Sequence, residues 1–125
     1  MLFMEEIHKL PFATIIKLRS DIAELVIDGD IEVNLQMLGL IHEWLLNNLD
    51  ESFSVMVNRI NSYSYAPEAH PYIGSLKGLK AIAEVVYSSA TEMVVKDLAS
   101  YPREYPWNVK CFSARQPALE WVTAQ

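Results

Sequence analysis

Residues 12–27, FATIIKLRSDIAELVI, decide the fold of this chain. Phe12 to Arg19 is typical of a β-strand. In Ile22 to Ile27, the side chains of Ala23, Leu25 and Ile27 fall on one face of a strand and Glu24 falls on the other. The pair Ser20-Asp21 between these runs is typical of a tight turn. Two short β-rich runs joined by so short a turn predict an antiparallel hairpin.

Beyond the hairpin, helix-like and strand-like segments alternate along the chain. The clearest helix is Asn34 to Leu49, where leucines recur at helical spacing and Asn34 is a candidate N-cap. The later segments are, in order, a strand at Ser52 to Ile60, a short helix around Ile73 to Leu79, a strand at Ala81 to Tyr87, a helix at Ala90 to Ser100 preceded by a capping-box pattern of Ser89 and Glu92, a strand at Trp107 to Phe112 and a helix at Gln116 to Thr123. This order predicts an α/β fold with a mixed five-stranded sheet, antiparallel at the N-terminal hairpin and parallel after the first long helix, and about four helices.

Length and composition restrict the class of protein. The 125 residues predict one domain, 1–125, with a core from about 12 to 122, and the hydrophobic fraction of 51% is that of a folded chain. No apolar run approaches the roughly 20 residues that span a bilayer, and the first residues lack the features of a signal peptide, so we expect no membrane insertion. The single cysteine, Cys111, fits a cytoplasmic location. The net charge of −6 argues against nucleic acid as a partner.

Two stretches carry a family resemblance. Asn58 to Ser64, NRINSYS, follows the third predicted strand, and Val109 to Val122, VKCFSARQPALEWV, covers the last strand and helix. With the element order, they resemble the short stand-alone STAS-like proteins of Bacteroidetes, which share the fold of the sporulation anti-sigma-factor antagonists and, in outline, that of CRAL-TRIO lipid-transfer domains. This bacterial group has no assigned activity, so the resemblance implies a STAS-like fold rather than a function.

The resemblance also bears on phosphorylation. In the better-understood antagonists, a serine in an Asp-Ser-Ser-Gly-type turn before the second helix is the phosphate acceptor. The corresponding residues here are Ala66-Pro67-Glu68-Ala69, which offer no hydroxyl, while Ser62 and Ser64 lie earlier in the loop. We therefore expect no phosphoserine at that turn.

The loop of residues 58–72 is the candidate contact surface, because loops at the carboxyl ends of strands in open α/β sheets tend to bind ligands. An Arg could bind a carboxylate or phosphate, and amides and hydroxyls could supply hydrogen bonds. The alternative is structural: such residues also cap turns, cover the core edge or pair with an acid. The candidate residues are Asn58, Arg59, Asn61, Ser62, Tyr63, Ser64, Tyr65, His70 and Tyr72.

No pattern of catalytic or metal-binding residues is recognisable. His8, His42 and His70 have no spacing typical of metal ligands, so no metal site and no cofactor are expected. Cys111 lies in a β-rich segment and is interpreted as a packed residue rather than a nucleophile. Without a nucleophile-base grouping, a phosphate loop or a carboxylate pair, the sequence predicts that the protein is not an enzyme.

The first long helix carries a second apolar strip, formed by Met37, Leu40 and Trp44. A helix that packs on one side of a sheet needs a single apolar stripe, so the second strip predicts a symmetric homodimer. The competing explanation is that the closing helix, with Leu119 and Trp121, covers the same strip within one chain.

Two functional hypotheses follow. The first is a non-catalytic cytoplasmic binding or regulatory module that contacts an unknown protein partner through residues 58–72. The alternative is a small carrier of an apolar or amphipathic ligand, by analogy with CRAL-TRIO domains, based on the apolar surfaces of the helix at 34–49 and the segment at 73–79.

Overall fold

The computed structural model describes residues 5–125. Its elements, in chain order, are β1 (Glu6–Leu10), β2 (Ala13–Arg19), β3 (Ile22–Ile27), β4 (Glu32–Val33), α1 (Leu35–Asn48), β5 (Phe53–Asn58), β6 (Ser64–Tyr65), a 3-10 helix (Pro67–Tyr72), β7 (Leu79–Val85), α2 (Ser89–Ala99), β8 (Val109–Phe112) and α3 (Arg115–Thr123). The α/β class and the N-terminal antiparallel hairpin are confirmed, and the described residues contain four helices, the number that was predicted.

The main sheet has six strands in the order β1-β2-β3-β5-β7-β8. Strands β1, β2 and β3 are antiparallel neighbours, whereas β3, β5, β7 and β8 run parallel to one another. The predicted change from antiparallel to parallel pairing after the first helix is therefore confirmed. The prediction of five strands was wrong, because β1 pairs with β2 ahead of the predicted hairpin. The two-residue strands β4 and β6 pair separately, in parallel.

The two faces of the sheet bury separate apolar clusters. One cluster contains Leu38, Ile41 and Leu45 of α1 together with Leu98 of α2. The other contains Ala118, Leu119 and Val122 of α3, packed against residues of β2, β3, β5 and β7. Since α1 and α3 lie on opposite faces, the closing helix does not cover the Met37, Leu40 and Trp44 strip, and the competing explanation for that strip was wrong.

The N-termini of the two longer helices are capped by side chains. Asn34 accepts a hydrogen bond from the backbone N–H of Met37 at 2.9 Å, as its position predicted. At α2, Ser88 rather than Ser89 is the cap, and it accepts from the backbone N–H of Thr91 at 3.1 Å. The capping-box prediction was therefore one residue out of register.

The segment predicted as a short helix at Ile73 to Leu79 is not helical. The helical turn lies earlier, at Pro67–Tyr72, and the chain then turns through Gly74 and Gly78, both of which have positive φ. Ile73 and Leu76 are buried, so their spacing reflects burial within a turn rather than a helix face. Within residues 5–125, no helix is long and apolar enough to cross a membrane.

Candidate functional site

The four parallel strands end at the same edge of the sheet, which we call the carboxyl edge. The loops that leave it begin after Ile27, Asn58, Val85 and Phe112. Two buried acids lie close to this edge, Glu24 in β3 and Glu84 in β7. Each acid is paired with an arginine, on opposite faces of the sheet.

On the face covered by α1 and α2, Arg59 pairs with Glu84. The distance from Nε of Arg59 to Oε1 of Glu84 is 2.7 Å, and the two side chains are only 4% and 3% exposed. Arg59 follows β5 directly, and its backbone N–H donates to the carbonyl of Val85 at 3.0 Å. The backbone pairing of two neighbouring parallel strands thus brings the two side chains together.

Burial dominates the electrostatics of this pair. Loss of hydration raises the pKa of Glu84, while the charge of Arg59 and its hydrogen bond act in the opposite direction. A buried pair of this kind is costly to break, because removing one partner leaves a charge without compensation. Arg59 is therefore committed to Glu84 rather than free to grip a carboxylate or phosphate ligand.

Two tyrosines complete the surroundings of Arg59. The guanidinium lies over the ring of Tyr63, 5.1 Å from the ring centroid, and Tyr63 meets Tyr65 edge to face at 5.7 Å. The buried hydroxyl of Tyr63 has no hydrogen-bond partner of good geometry among the described residues. Burial raises the pKa of Tyr65 to about 12 and that of Tyr63 well above its usual value, so both phenols stay neutral at physiological pH.

The opposite face holds a second network, centred on Glu24. Arg115, the first residue of α3, donates from Nη2 to Oε1 of Glu24 at 2.8 Å. Asn58 donates from Nδ2 to Oε2 of Glu24 at 3.0 Å, and the hydroxyl of Tyr87 donates to Oδ1 of Asn58 at 2.7 Å. This Glu24 network joins β3, β5, the segment after β7 and the start of α3.

Sequence reasoning missed Glu24, Glu84, Tyr87 and Arg115. The available signal was the single glutamate inside each of two otherwise apolar strands, IAELVI and AIAEVVY. A carboxylate buried within a sheet needs a cationic or hydrogen-bonding partner nearby. Arg59 is 25 residues from Glu84 and Arg115 is 91 residues from Glu24 in sequence, so the pattern alone does not identify these partners.

The nine candidate residues of the 58–72 loop divide into an inward and an outward group. Asn58 and Arg59 are buried, the Tyr63 and Tyr65 rings are half-buried, and Asn61 donates from Nδ2 to the carbonyl of Ile27 at 3.0 Å. The outward residues are Ser62, Ser64 and Tyr72. His70 is half-buried, with its ring 3.2 Å from both the Tyr101 hydroxyl and the Tyr65 carbonyl oxygen.

A groove separates this loop from α2. Its volume is about 530 Å³, and its lining residues are Arg59, Tyr63, Ser64, Tyr65, His70, Met93, Val94, Asp97 and Leu98. A smaller pocket of about 160 Å³ shares Arg59, Tyr63 and Val94 with it. Met93 is 71% exposed and Val94 is 50% exposed, so the helix side of the groove presents apolar side chains to solvent.

The interior holds a small apolar cavity beneath α1, of about 50 Å³. His42 lines it, and burial lowers the pKa of that side chain to about 4. The backbone N–H of Gly74 points at Nε2 of His42, 3.4 Å away. The neutral imidazole thus serves as an acceptor for the turn after the 3-10 helix.

The remaining candidate residues are dispersed. Within residues 5–125, no group of three or more His, Cys, Asp and Glu side chains is arranged to hold a metal ion. His8 lies against Trp44, with ring centroids 5.8 Å apart. Cys111 is half-buried, and burial raises the pKa of its thiol, which disfavours the reactive thiolate.

The three residues predicted at a dimer interface do not form one exposed strip. Met37 and Trp44 are half-buried and pack against the apolar cluster beneath α1, whereas Leu40 is exposed. A homodimer through this helix stays a prediction.

Comparisons with known proteins give no relative. No family model matches the chain, and neither a curated protein nor a solved structure matches it. The STAS-like resemblance therefore stays a hypothesis based on the residues quoted above.

Proposed function

We propose that the protein is a non-catalytic, cytoplasmic binding or regulatory module that contacts a protein partner at the groove between residues 59–70 and α2. The observation that carries the proposal is the combination of a concave surface with exposed Met93 and Val94 along one wall. Apolar side chains that remain in solvent beside a groove of this size mark interaction sites.

The other wall is rigid. Arg59 and Tyr63, which line the groove, are held by the buried Glu84 carboxylate and by packing of the rings. A preformed wall lowers the entropy cost of binding, because few side chains have to be ordered when the partner docks. The polar residues of the loop thus hold the wall of the groove in place, and the charge of Arg59 is used within the fold rather than to contact the partner.

The charges around the groove favour a particular partner. Asp97 lines the groove and has no ion-pair partner among the described residues, while the charge of Arg59 is balanced by Glu84. A partner segment that presents an apolar side chain for Met93 and Val94, with a Lys or Arg next to it for Asp97, matches this surface.

Selection of short random peptides displayed on phage tests the proposal. We expect enriched peptides to combine an apolar residue with a nearby basic residue and to lose binding to the Val94→Glu variant. Leu46→Glu is the matched control, since Leu46 is similarly exposed, at 53%, but lies on α1 beside a different groove. Peptides that bind Val94→Glu as tightly as wild type, or that lose binding only with Leu46→Glu, would contradict the proposal. Arg59→Ala is unsuitable here, because it unpairs a buried carboxylate.

The carrier hypothesis has no comparable support. The interior cavity of about 50 Å³ is far smaller than the roughly 300 to 1,000 Å³ of sites for drug-sized ligands. Native mass spectrometry of the purified protein remains the direct test, and a co-purifying lipid would revive that hypothesis.

A further inference from the structure

The strand β1 forms one edge of the six-stranded sheet, and its outer side has no neighbouring strand among the described elements. Residues 6–9 are all exposed, and Ile7 is 64% exposed, although it lies in a regular strand. An open strand edge with an exposed isoleucine is a site for pairing with another chain.

The direction of the free backbone groups on this edge follows from the turn between β1 and β2. The turn has two residues, Pro11 and Phe12, so Leu10 and Ala13 form the hydrogen-bonded closing pair. Hydrogen-bonded and non-hydrogen-bonded pairs alternate along an antiparallel ladder. The N–H and C=O groups of Ile7 and Lys9 therefore point away from β2, and those of Glu5 follow the same alternation.

The sequence of this edge, Glu5-Glu6-Ile7-His8-Lys9, is complementary to its own reverse. Antiparallel pairing of two copies about Ile7 puts Ile7 opposite Ile7, Glu5 opposite Lys9 and Glu6 opposite His8. The two-fold symmetry forms the Glu5–Lys9 charge pair and the Glu6–His8 contact twice. Ile7 and Lys9 are also the residues whose outward backbone groups are free to form the new ladder.

Other symmetric registers lack this complementarity. Pairing centred on Glu6 or on Lys9 opposes two like charges, and pairing centred on His8 opposes two histidines. Like charges directly opposite each other destabilise a strand pair, and opposite charges stabilise it. Lysine on an edge strand ordinarily discourages pairing, but in the Ile7 register each Lys9 meets a glutamate.

We propose that β1 pairs with β1 of a second copy of this chain, antiparallel and centred on Ile7, which joins two sheets into one continuous sheet. The partner is identified by charge complementarity, since the same five residues supply both sides of the contact. This interface is distinct from the groove beside α2 and from the α1 surface that contains Leu40.

Charge reversal tests the register. Glu5→Lys and Lys9→Glu each turn the two attractive Glu5–Lys9 pairs into repulsive ones. We expect sedimentation velocity to show a dimer for the wild type. In each variant the dissociation constant of the dimer should be roughly tenfold or more higher. The two variants mixed together restore both pairs and should form a heterodimer, and the double variant Glu5→Lys/Lys9→Glu should dimerise like wild type. Recovery in the mixture cannot arise from variants that fail to fold.

Ile7→Pro tests the backbone ladder. The N–H of Ile7 points away from β2, so this change removes a donor to the second copy while the hydrogen bonds between β1 and β2 remain. We expect a folded monomer, checked by circular dichroism. A wild-type monomer at all accessible concentrations would overturn the proposal. So would a dimer that resists all of these changes and dissociates with Leu40→Glu, or a mixture of the two charge variants that stays monomeric.

Discussion

Truncating Arg59 to alanine is the sharpest test of how the carboxyl edge is held together. The change leaves the carboxylate of Glu84, which is 3% exposed, without its only ion-pair partner among the described residues. Breaking a buried ion pair from one side typically costs about 3 to 5 kcal/mol. Because domains of this size are stable by roughly 5 to 15 kcal/mol, Arg59→Ala should lose a large share of the free energy of unfolding.

The pH dependence identifies the cause of the loss. Burial raises the pKa of Glu84 in the folded state above its unfolded value. At low pH the carboxyl is protonated in both states, so it does not lower the free energy of unfolding. As pH rises through the folded pKa, the buried group has to ionise and the free energy of unfolding falls. Without Arg59 to oppose burial, this pKa should rise further. The deficit of Arg59→Ala relative to wild type should therefore be largest at neutral pH and smaller near about pH 5.

Urea unfolding followed by tryptophan fluorescence measures the loss in free energy of unfolding at both pH values, and the comparison with wild type cancels the contribution of His42.

Two controls separate the effect of charge from the effect of packing. Glu84→Gln leaves a buried guanidinium, which cannot give up its proton, so its deficit should not shrink on acidification. Replacing both partners, Arg59→Met/Glu84→Leu, should restore stability to within about 1 kcal/mol of wild type or exceed it. A deficit for Arg59→Ala that stays below about 1 kcal/mol, or that does not change with pH, would refute this reasoning.

Three further predictions concern other parts of the chain. Burial lowers the pKa of His42 to about 4 while the unfolded value is about 6.5, so the free energy of unfolding should fall by about 3 kcal/mol in total as pH drops through this interval. His42→Gln should flatten that part of the pH profile of stability. An unchanged profile would mean that another group causes the fall. Gly78→Ala should destabilise the fold by more than about 1 kcal/mol in thermal unfolding, because Gly78 has φ of +94° and a β-carbon there would overlap the carbonyl oxygen of Glu51. The control is Gly39→Ala, which should be neutral or stabilising because Gly39 lies in an exposed helix position with open space around it. Phosphopeptide mapping from the native cell should find no modification at residues 66–69, and stoichiometric phosphate on Ser62 or Ser64 would revive a regulatory serine.

The parts of the fold that follow a hydrophobic period could be predicted from the sequence. Strands β2, β3, β5 and β7 are buried and apolar, and α1 repeats leucine at helical spacing. The edge strand β1 was missed because residues 6–9 are all exposed, so they carry no pattern of burial. The two-residue strands β4 and β6 are too short to show any period.

The candidate site could be predicted in position but not in detail. The loop after β5 does lie at the carboxyl edge, as the alternation of strands and helices implied. The partners of its polar residues are Glu24 of β3, Glu84 of β7 and Tyr87 beyond β7, all far away in the sequence. Single-sequence patterns report local periodicity and short hairpins, and they do not identify side-chain partners that lie on distant strands.

The inward direction of Asn58, Arg59 and Asn61 changes what the polar character of this loop means. A chain that leaves the end of a buried parallel strand carries backbone and side-chain polar groups that need partners. Asn58, Arg59 and Asn61 donate hydrogen bonds inward, to Glu24, to Glu84 and to the carbonyl of Ile27 respectively. The residues that most resemble a ligand site in the sequence are thus the ones whose substitution should cost stability.

Binding should depend instead on residues that the fold does not need. Met93 and Val94 of α2 and Ile7 of β1 are exposed, and the structure satisfies its own core without burying them further. Substitutions there should change association while the free energy of unfolding stays nearly constant, since exposed positions rarely shift stability by more than about 0.5 kcal/mol. If Val94→Glu instead unfolded the protein, Val94 would belong to the fold, and the separation between a stabilising loop and a binding surface on α2 would be wrong.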